Sequence, residues 1–164
     1  MTNTRPSNIP SRLVRISSSP TADTRTCDFA SVSKDTLLAS SHQHVGDIAQ
    51  AFEFFKEMID RQVAIHDHDK FSDINGFHSD FVTGFKEHSW WDNHRRVNHH
   101  HLLQDDGIPE DVNLIDVLDL IVDCTMAGLA RSGDVFPITI APEVLMLAFE
   151  NTCKLLREKT EVVK

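Results

Sequence analysis

The sequence predicts an all-α fold: a compact helical bundle of about five to six helices behind an irregular N-terminal arm. Apolar residues recur at steps of three and four over 45–63, 112–126 and 142–156, the spacing of one face of a helix. The joints between these windows carry Ser, Asp, Asn, Gly and Pro, as at 72–76, 106–109 and 137–142. Only one patch, Arg12-Leu13-Val14-Arg15-Ile16, alternates in the manner of an edge strand, and weakly.

In order, residues 1–35 read as a flexible or extended arm, because Ser, Thr, Pro, Asn and Arg dominate and bury little surface. Residues 36–164 form the helical domain. Its first helix is expected from Ser40 or Ser41, either of which can cap it. Val45, Ile48, Ala49, Phe52, Phe55, Ile59 and Val63 give it a wide apolar stripe. A second helix is expected around Ile65 to Lys70, then a turn through Ser72, Asp73, Asn75 and Gly76. Phe77, Phe81 and Phe85 stand four apart, so a short helix should bury them, with Trp90 and Trp91 as further core. A loop spans Gln104 to Asp111. The next helix, ending near Ser132-Gly133, is apolar on most of its circumference and should be central and buried. The last helix is expected from about Pro142 to Lys159, with Leu145, Ala148, Phe149, Thr152, Leu155 and Leu156 facing inward.

Bulk composition narrows the function. With 40% apolar and 25% charged residues in 164, the chain is most simply one soluble domain with a real core. A net charge of −9 argues against a nonspecific nucleic-acid coat, which needs a basic surface. It leaves room for a small phosphorylated substrate, since a metal ion supplies positive charge locally. Cys27, Cys124 and Cys153 form no CxxC pair, so neither a thiolate zinc knuckle nor a disulfide framework is indicated. No apolar run approaches the ~20 residues of a membrane span, and no apolar signal core opens the chain, so a cytoplasmic protein without membrane partners is expected.

The chemistry is concentrated. All ten histidines lie between His42 and His101. Imidazole is the commonest metal ligand, and Asp67, Asp69 and Asp92 stand among these histidines. Such a nitrogen and oxygen donor set suits a divalent ion: Mn, Fe, Co, Ni, Zn or Mg. His66 and Asp67 at consecutive helix positions lie about 100° apart, so both can reach one ion at that edge of the helix. His44 from an earlier helix and Asp123 from a later one would complete the shell; His42 and Asp119 are the alternatives. Lys70, one turn after His66, could hold a phosphate. His94, His99 and His100 would add second-metal ligands, proton donors or phosphate contacts.

This order of residues resembles the HD-domain metal-dependent phosphohydrolase superfamily. Its pattern of a histidine, an adjacent His-Asp pair and a distant aspartate looks like His44, His66-Asp67 and Asp123. His66-Asp67-x-x-Lys70 resembles the family's His-Asp-x-Gly-Lys form, with Asp69 in place of Gly. Asn98-His99-His100, then Gly107-Ile108-Pro109, then Asp123 looks like the order found in two-metal members. The chain also resembles small bacterial and phage proteins that carry His-Asp-x-x-Lys-Phe followed by His-x-x-x-Asn-His-His, here His66 to Phe71 and His94 to His100. The resemblance covers roughly residues 40 to 130. It implies an HD-like fold and a phosphohydrolase acting through a metal-activated water on a nucleotide or other small phosphorylated substrate, with room for a homo-oligomer. Two other readings fit the same residues: a non-catalytic metal- or nucleotide-binding regulatory module, and a His-rich nuclease of the HNH type built on His94, Asn98 and His99.

Overall fold

A computed structural model describes residues 5–19, 29–86, 89–103, 107–135 and 137–163. Parts of the expected arm (1–4, and 20–28 with Cys27) and the first residues of the expected loop (104–106) lie outside them. The described chain is essentially all-α, with helices α1 (Lys34–Ile65), α2 (His68–Ser72), α3 (Ile74–Val82), α4 (Ser89–Val97), α5 (Leu114–Ser132) and α6 (Pro142–Lys159). Among the described residues the only strands are β1 (Val14–Ser17) and β2 (Thr160–Val163), paired in parallel with Val14 opposite Thr160. Contacts divide the chain into two units: Met1–Ile9 with Met58–Cys153, and Pro10–Glu57 with Lys154–Lys164. The boundary expected between residues 35 and 36 therefore falls inside one unit.

The second of these units holds the ladder and most of α1. Arg15 Nε reaches Glu161 Oε2 at 3.2 Å across the ladder, and Ser18 N–H donates to the Val163 carbonyl at 3.0 Å. The weak alternation at Arg12–Ile16 is thus a strand, shifted to Val14–Ser17. Its partner was not foreseen, because Thr160–Val163 follows α6 with no turn signal. Helix α1 also begins earlier than Ser40. Ser33 Oγ accepts from Thr36 N–H at 3.1 Å, and Asp35 adds a negative charge to the first turn. Val45, Ile48 and Phe52, expected to face inward, are exposed. The buried line along α1 is Phe54, Met58 and Gln62. One position along a helix turns its face by about 100°. The stripe was read out of phase because Gln62, a polar residue, is on the buried side.

The other unit is organised by α5 and α6. Leu102, Val112, Val117, Val144 and Ala148 make a continuous apolar cluster. Thr152 Oγ1 ties the two helices by accepting from Leu114 N–H at 2.9 Å and donating to the Ala148 carbonyl at 2.7 Å. Asn113 opens α5 with a capping box: its side chain accepts from Ile115 N–H, and its own N–H donates to Asp116 Oδ2. Gly133 closes the helix at φ 73°, a left-handed conformation that glycine adopts freely. The expected burial of α5 holds only for its first turn, at Ile115, Asp116 and Val117. Leu118, Ile121, Val122 and Met126 are exposed, since no described element covers them. On α6 the expected boundaries match. Its buried line is Val144, Ala148 and Thr152, while Leu145 and Phe149 point outward. Phe77 and Trp90 pack at 4.6 Å, placing Trp90 in the interior as expected, whereas Phe81 is exposed.

An alanine at position 133 would meet no atom within 4 Å, so its cost is that of the backbone alone. Gly133→Ala is expected to lower stability by about 1 kcal/mol, read from a denaturant titration.

Candidate metal centre

The centre begins where α1 stops. The helix ends at Ile65, and Asp67 adopts a left-handed conformation (φ 53°, ψ 21°), which Asp tolerates better than most residues. Asn98 holds this turn by accepting from Asp67 N–H at 2.9 Å. His66 and Asp67 are therefore not consecutive helical positions, as expected, but the two residues of a sharp turn. The turn brings Asp67 Oδ2 to 3.6 Å from His66 Nε2. Helix α2 then starts at His68 and supplies Asp69 and Lys70. Helix α4 supplies His94 and ends at Val97, so His99, His100 and His101 lie on irregular backbone. Consecutive imidazoles there need not share a face.

Asp67 is the common partner. Its Oδ1 lies 3.5 Å from His94 Nε2 and 3.7 Å from His100 Nε2. On the other side His66 Nε2 is 3.7 Å from Asp123 Oδ1. The His66 and His100 ring centres lie 4.5 Å apart, and those of His100 and His101 4.3 Å apart, each pair tilted. Lys70 Nζ donates to Asp67 Oδ2.

The outer nitrogens of two imidazoles are held by carboxylates. His66 Nδ1–H donates to Asp119 Oδ1 at 2.9 Å, and His94 Nδ1–H donates to Asp69 Oδ2 at 3.0 Å. A carboxylate only accepts, so the hydrogen sits on Nδ1 in each ring and leaves the Nε2 lone pair turned to the centre. Asn98 donates its two amide hydrogens to Asp69 Oδ1 (2.8 Å) and the His94 carbonyl (3.0 Å). Burial works against ionisation of Asp69, but the hydrogen bonds from His94 and Asn98 outweigh it and hold the carboxyl at about 2. For Asp119, burial is likewise outweighed, by His100, His66 and Gln62, and its carboxyl lies well below the usual range. The hydrogen bond to Asp119 raises the pKa of His66 against the effect of burial. Burial lowers His101 to about 3, helped by His100 and His94, so its ring is neutral near pH 7.

These residues fit a divalent cation. Asp67 Oδ1 and His101 Nε2 are buried and have no hydrogen-bond partner. A buried carboxylate oxygen left in that state is costly unless a cation or a donor meets it. Three overlapping sets have ligand atoms all within 4.8 Å of one another: His66, Asp67 and His100; Asp67, Asp69 and His94; His94, His100 and His101. Ligands held about 2.0–2.2 Å from one ion stand about 3–4 Å apart, which is the spacing seen around Asp67.

Of the sequence-derived ligands, His66, Asp67 and Asp123 converge. His44 does not. It is exposed, and it lies on α1, roughly six turns before the helix ends just ahead of His66, rather than on a separate packed helix. His42 is exposed there too. His94 and His100 take the place assigned to His44, and Lys70 stands beside Asp67. His99 is turned away: its Nδ1 meets Asp116 Oδ1 at 2.7 Å and its Nε2 meets the Pro6 carbonyl at 2.6 Å. Sequence reasoning gave His101 and Asp69 no role at the centre, and took Asn98 only as part of a motif. The four-residue step from His94 on α4 to Asn98 just past its end was the available signal. It also missed Gln62, a polar residue one turn before His66. Asp119, the alternative to Asp123, orients His66 from behind. The strands that an HNH-type nuclease needs around His94 to His99 are absent among the described residues.

Purified protein is expected to carry a transition metal by elemental analysis. Asp67→Ala and His94→Ala should lose it, while His44→Ala keeps it. The metal-free protein has a pH signature too. The Asp69 carboxyl is depressed from 3.8 to about 2, so its stabilising effect is complete above 3.8 and lost as pH falls through 2. Denaturant titrations between pH 5 and about 2 should show a flatter loss of stability for Asp69→Asn than for the parent protein. Comparison with protein-family models, with curated proteins and with solved structures finds no match to this chain, so the centre is identified by its geometry alone.

Proposed function

We propose that the chain is a metal-dependent phosphohydrolase acting on a nucleotide or another small phosphorylated substrate. The observation that carries this reading is the buried, unpartnered Asp67 Oδ1 faced by the Nε2 atoms of His94 and His100, with His66 Nε2 beside the other oxygen. His66, Asp67, His94 and His100 would hold the ion. When bound, a divalent ion supplies Lewis-acid charge to a phosphoryl oxygen and brings the pKa of water towards neutrality. Lys70, half-buried beside Asp67, keeps a positive charge at the edge of the centre for a phosphate oxygen. Asp123 is about a third exposed, and His66 is its ion-pair partner within 4 Å among the described residues, so it is the carboxylate placed to act as a general base.

A place for the rest of a substrate adjoins Asp123. A cavity of about 410 Å³ runs along α5 from Asp123 to Arg131, walled by Leu120, Ala127 and Ile138. Apolar walls suit a base or another flat organic group, and Arg131 at the far end suits a second anionic group.

Turnover of a nucleotide panel with Mn, Co, Ni, Zn, Fe or Mg tests this. Phosphate or pyrophosphate release is expected with at least one ion. Asp67→Ala should reduce it by more than the roughly hundredfold typical of outer-shell partners. His44→Ala should leave it unchanged. A protein that binds metal tightly and turns over nothing on the panel would be a binding module instead.

A further inference from the structure

The arm reaches the centre. Arg5 donates to Asp111 Oδ1 at 2.9 Å and to the His99 carbonyl at 3.0 Å, and the Pro6 carbonyl meets His99 Nε2. Two residues on, Asn8 is 1% exposed. A segment expected to trail in solvent is therefore buried by polar contacts, and those contacts continue inward. Asn8 Nδ2 donates to Gln62 Oε1 at 2.9 Å, Gln62 Nε2 donates to Asp119 Oδ2 at 2.7 Å, and Asp119 Oδ1 accepts from His66 Nδ1 at 2.9 Å.

The direction of this chain is forced from its inner end. Gln62 lies 2.7 Å from Asp119 Oδ2, and a carboxylate only accepts, so Gln62 must turn its NH₂ towards it. The Gln62 carbonyl then faces outward and needs a donor. Asn8 supplies it, and the second hydrogen of the same amide goes to Asp116 Oδ1 at 2.9 Å. Both hydrogens are committed, and the Asn8 carbonyl accepts from Asn113 Nδ2 at 3.4 Å. Neither amide can flip without placing two acceptors against each other in a buried site.

We propose that Asn8 is a positioning residue of the metal centre: acting through Gln62 and Asp119, it fixes the His66 ring with Nε2 presented to the cation, and the segment Arg5–Ile9 is a working part of the site. This rests on the reading of the centre as a metal site. Asn8→Asp keeps the shape of the side chain and removes its donors, leaving a carboxylate against Gln62 Oε1. Gln62→Met keeps Asn8 and its bond to Asp116 and cuts only the relay.

The test uses the full chain with cobalt(II) as probe and has two readouts. In metal-free protein, ¹⁵N NMR of the histidine side chains should show His66 as the Nδ1–H tautomer, and both variants should lose that preference. In a cobalt titration followed by visible absorption, both variants should bind about ten- to a hundredfold more weakly with an altered ligand-field band. Circular dichroism confirms which variants fold, and either folded variant suffices. An unchanged tautomer and unchanged cobalt affinity in a folded variant would overturn the proposal. If the parent protein takes up no cobalt, the metal reading fails and the tautomer readout alone decides whether the relay exists.

Discussion

One oxygen atom constrains this site. Asp67 Oδ1 is buried and receives no hydrogen bond. An unmet buried acceptor costs about 1–3 kcal/mol, and more when it is charged. The neighbours that could relieve it, His94 and His100, turn Nε2 towards it, and the hydrogen of His94 is engaged on the far side by Asp69. Relief must come from a cation or from a donor added to the site. The left-handed turn at Asp67, the Asn98 contact that holds it and the carboxylates behind the imidazoles are all arranged around that atom.

The surroundings are unusually polar for an interior. Asn8, Gln62, Asp69, His94, Asn98, His99, Asn113 and Asp116 are all buried. Apolar packing tolerates small rotations, whereas a filled set of donors and acceptors does not. The unit containing the centre therefore gains a definite geometry from hydrogen bonds where its apolar cluster is small. This also explains Asp69, which departs from the glycine of the resembled motif. It is the acceptor that orients His94, so its side chain has a role that glycine could not fill.

The sequence was most legible where a local signal determined the outcome. Pro142 and the periodicity behind it set α6, and Ser132-Gly133 set the end of α5. The His66-Asp67 pair stood out by its chemistry, and Asp123 by its place on an apolar helix. Phase was not legible. Whether Gln62 or Val63 is buried depends on partners far along the chain, above all Asn8 and Asp119. His44 looked equivalent to an inward ligand because nothing local shows that α1 runs unbroken from Lys34 to Ile65. Among His99, His100 and His101, irregular backbone decides which ring faces the centre, and periodicity has nothing to say about irregular backbone.

The parallel pairing of β1 with β2 has a consequence for biosynthesis. The ladder pairs Val14–Ser17 with Thr160–Val163. While the chain is growing on a ribosome, β1 emerges before its partner exists. Its edge stays open until Thr160–Val163 has been synthesised, and over that interval an unpaired strand gains from a chaperone's cover.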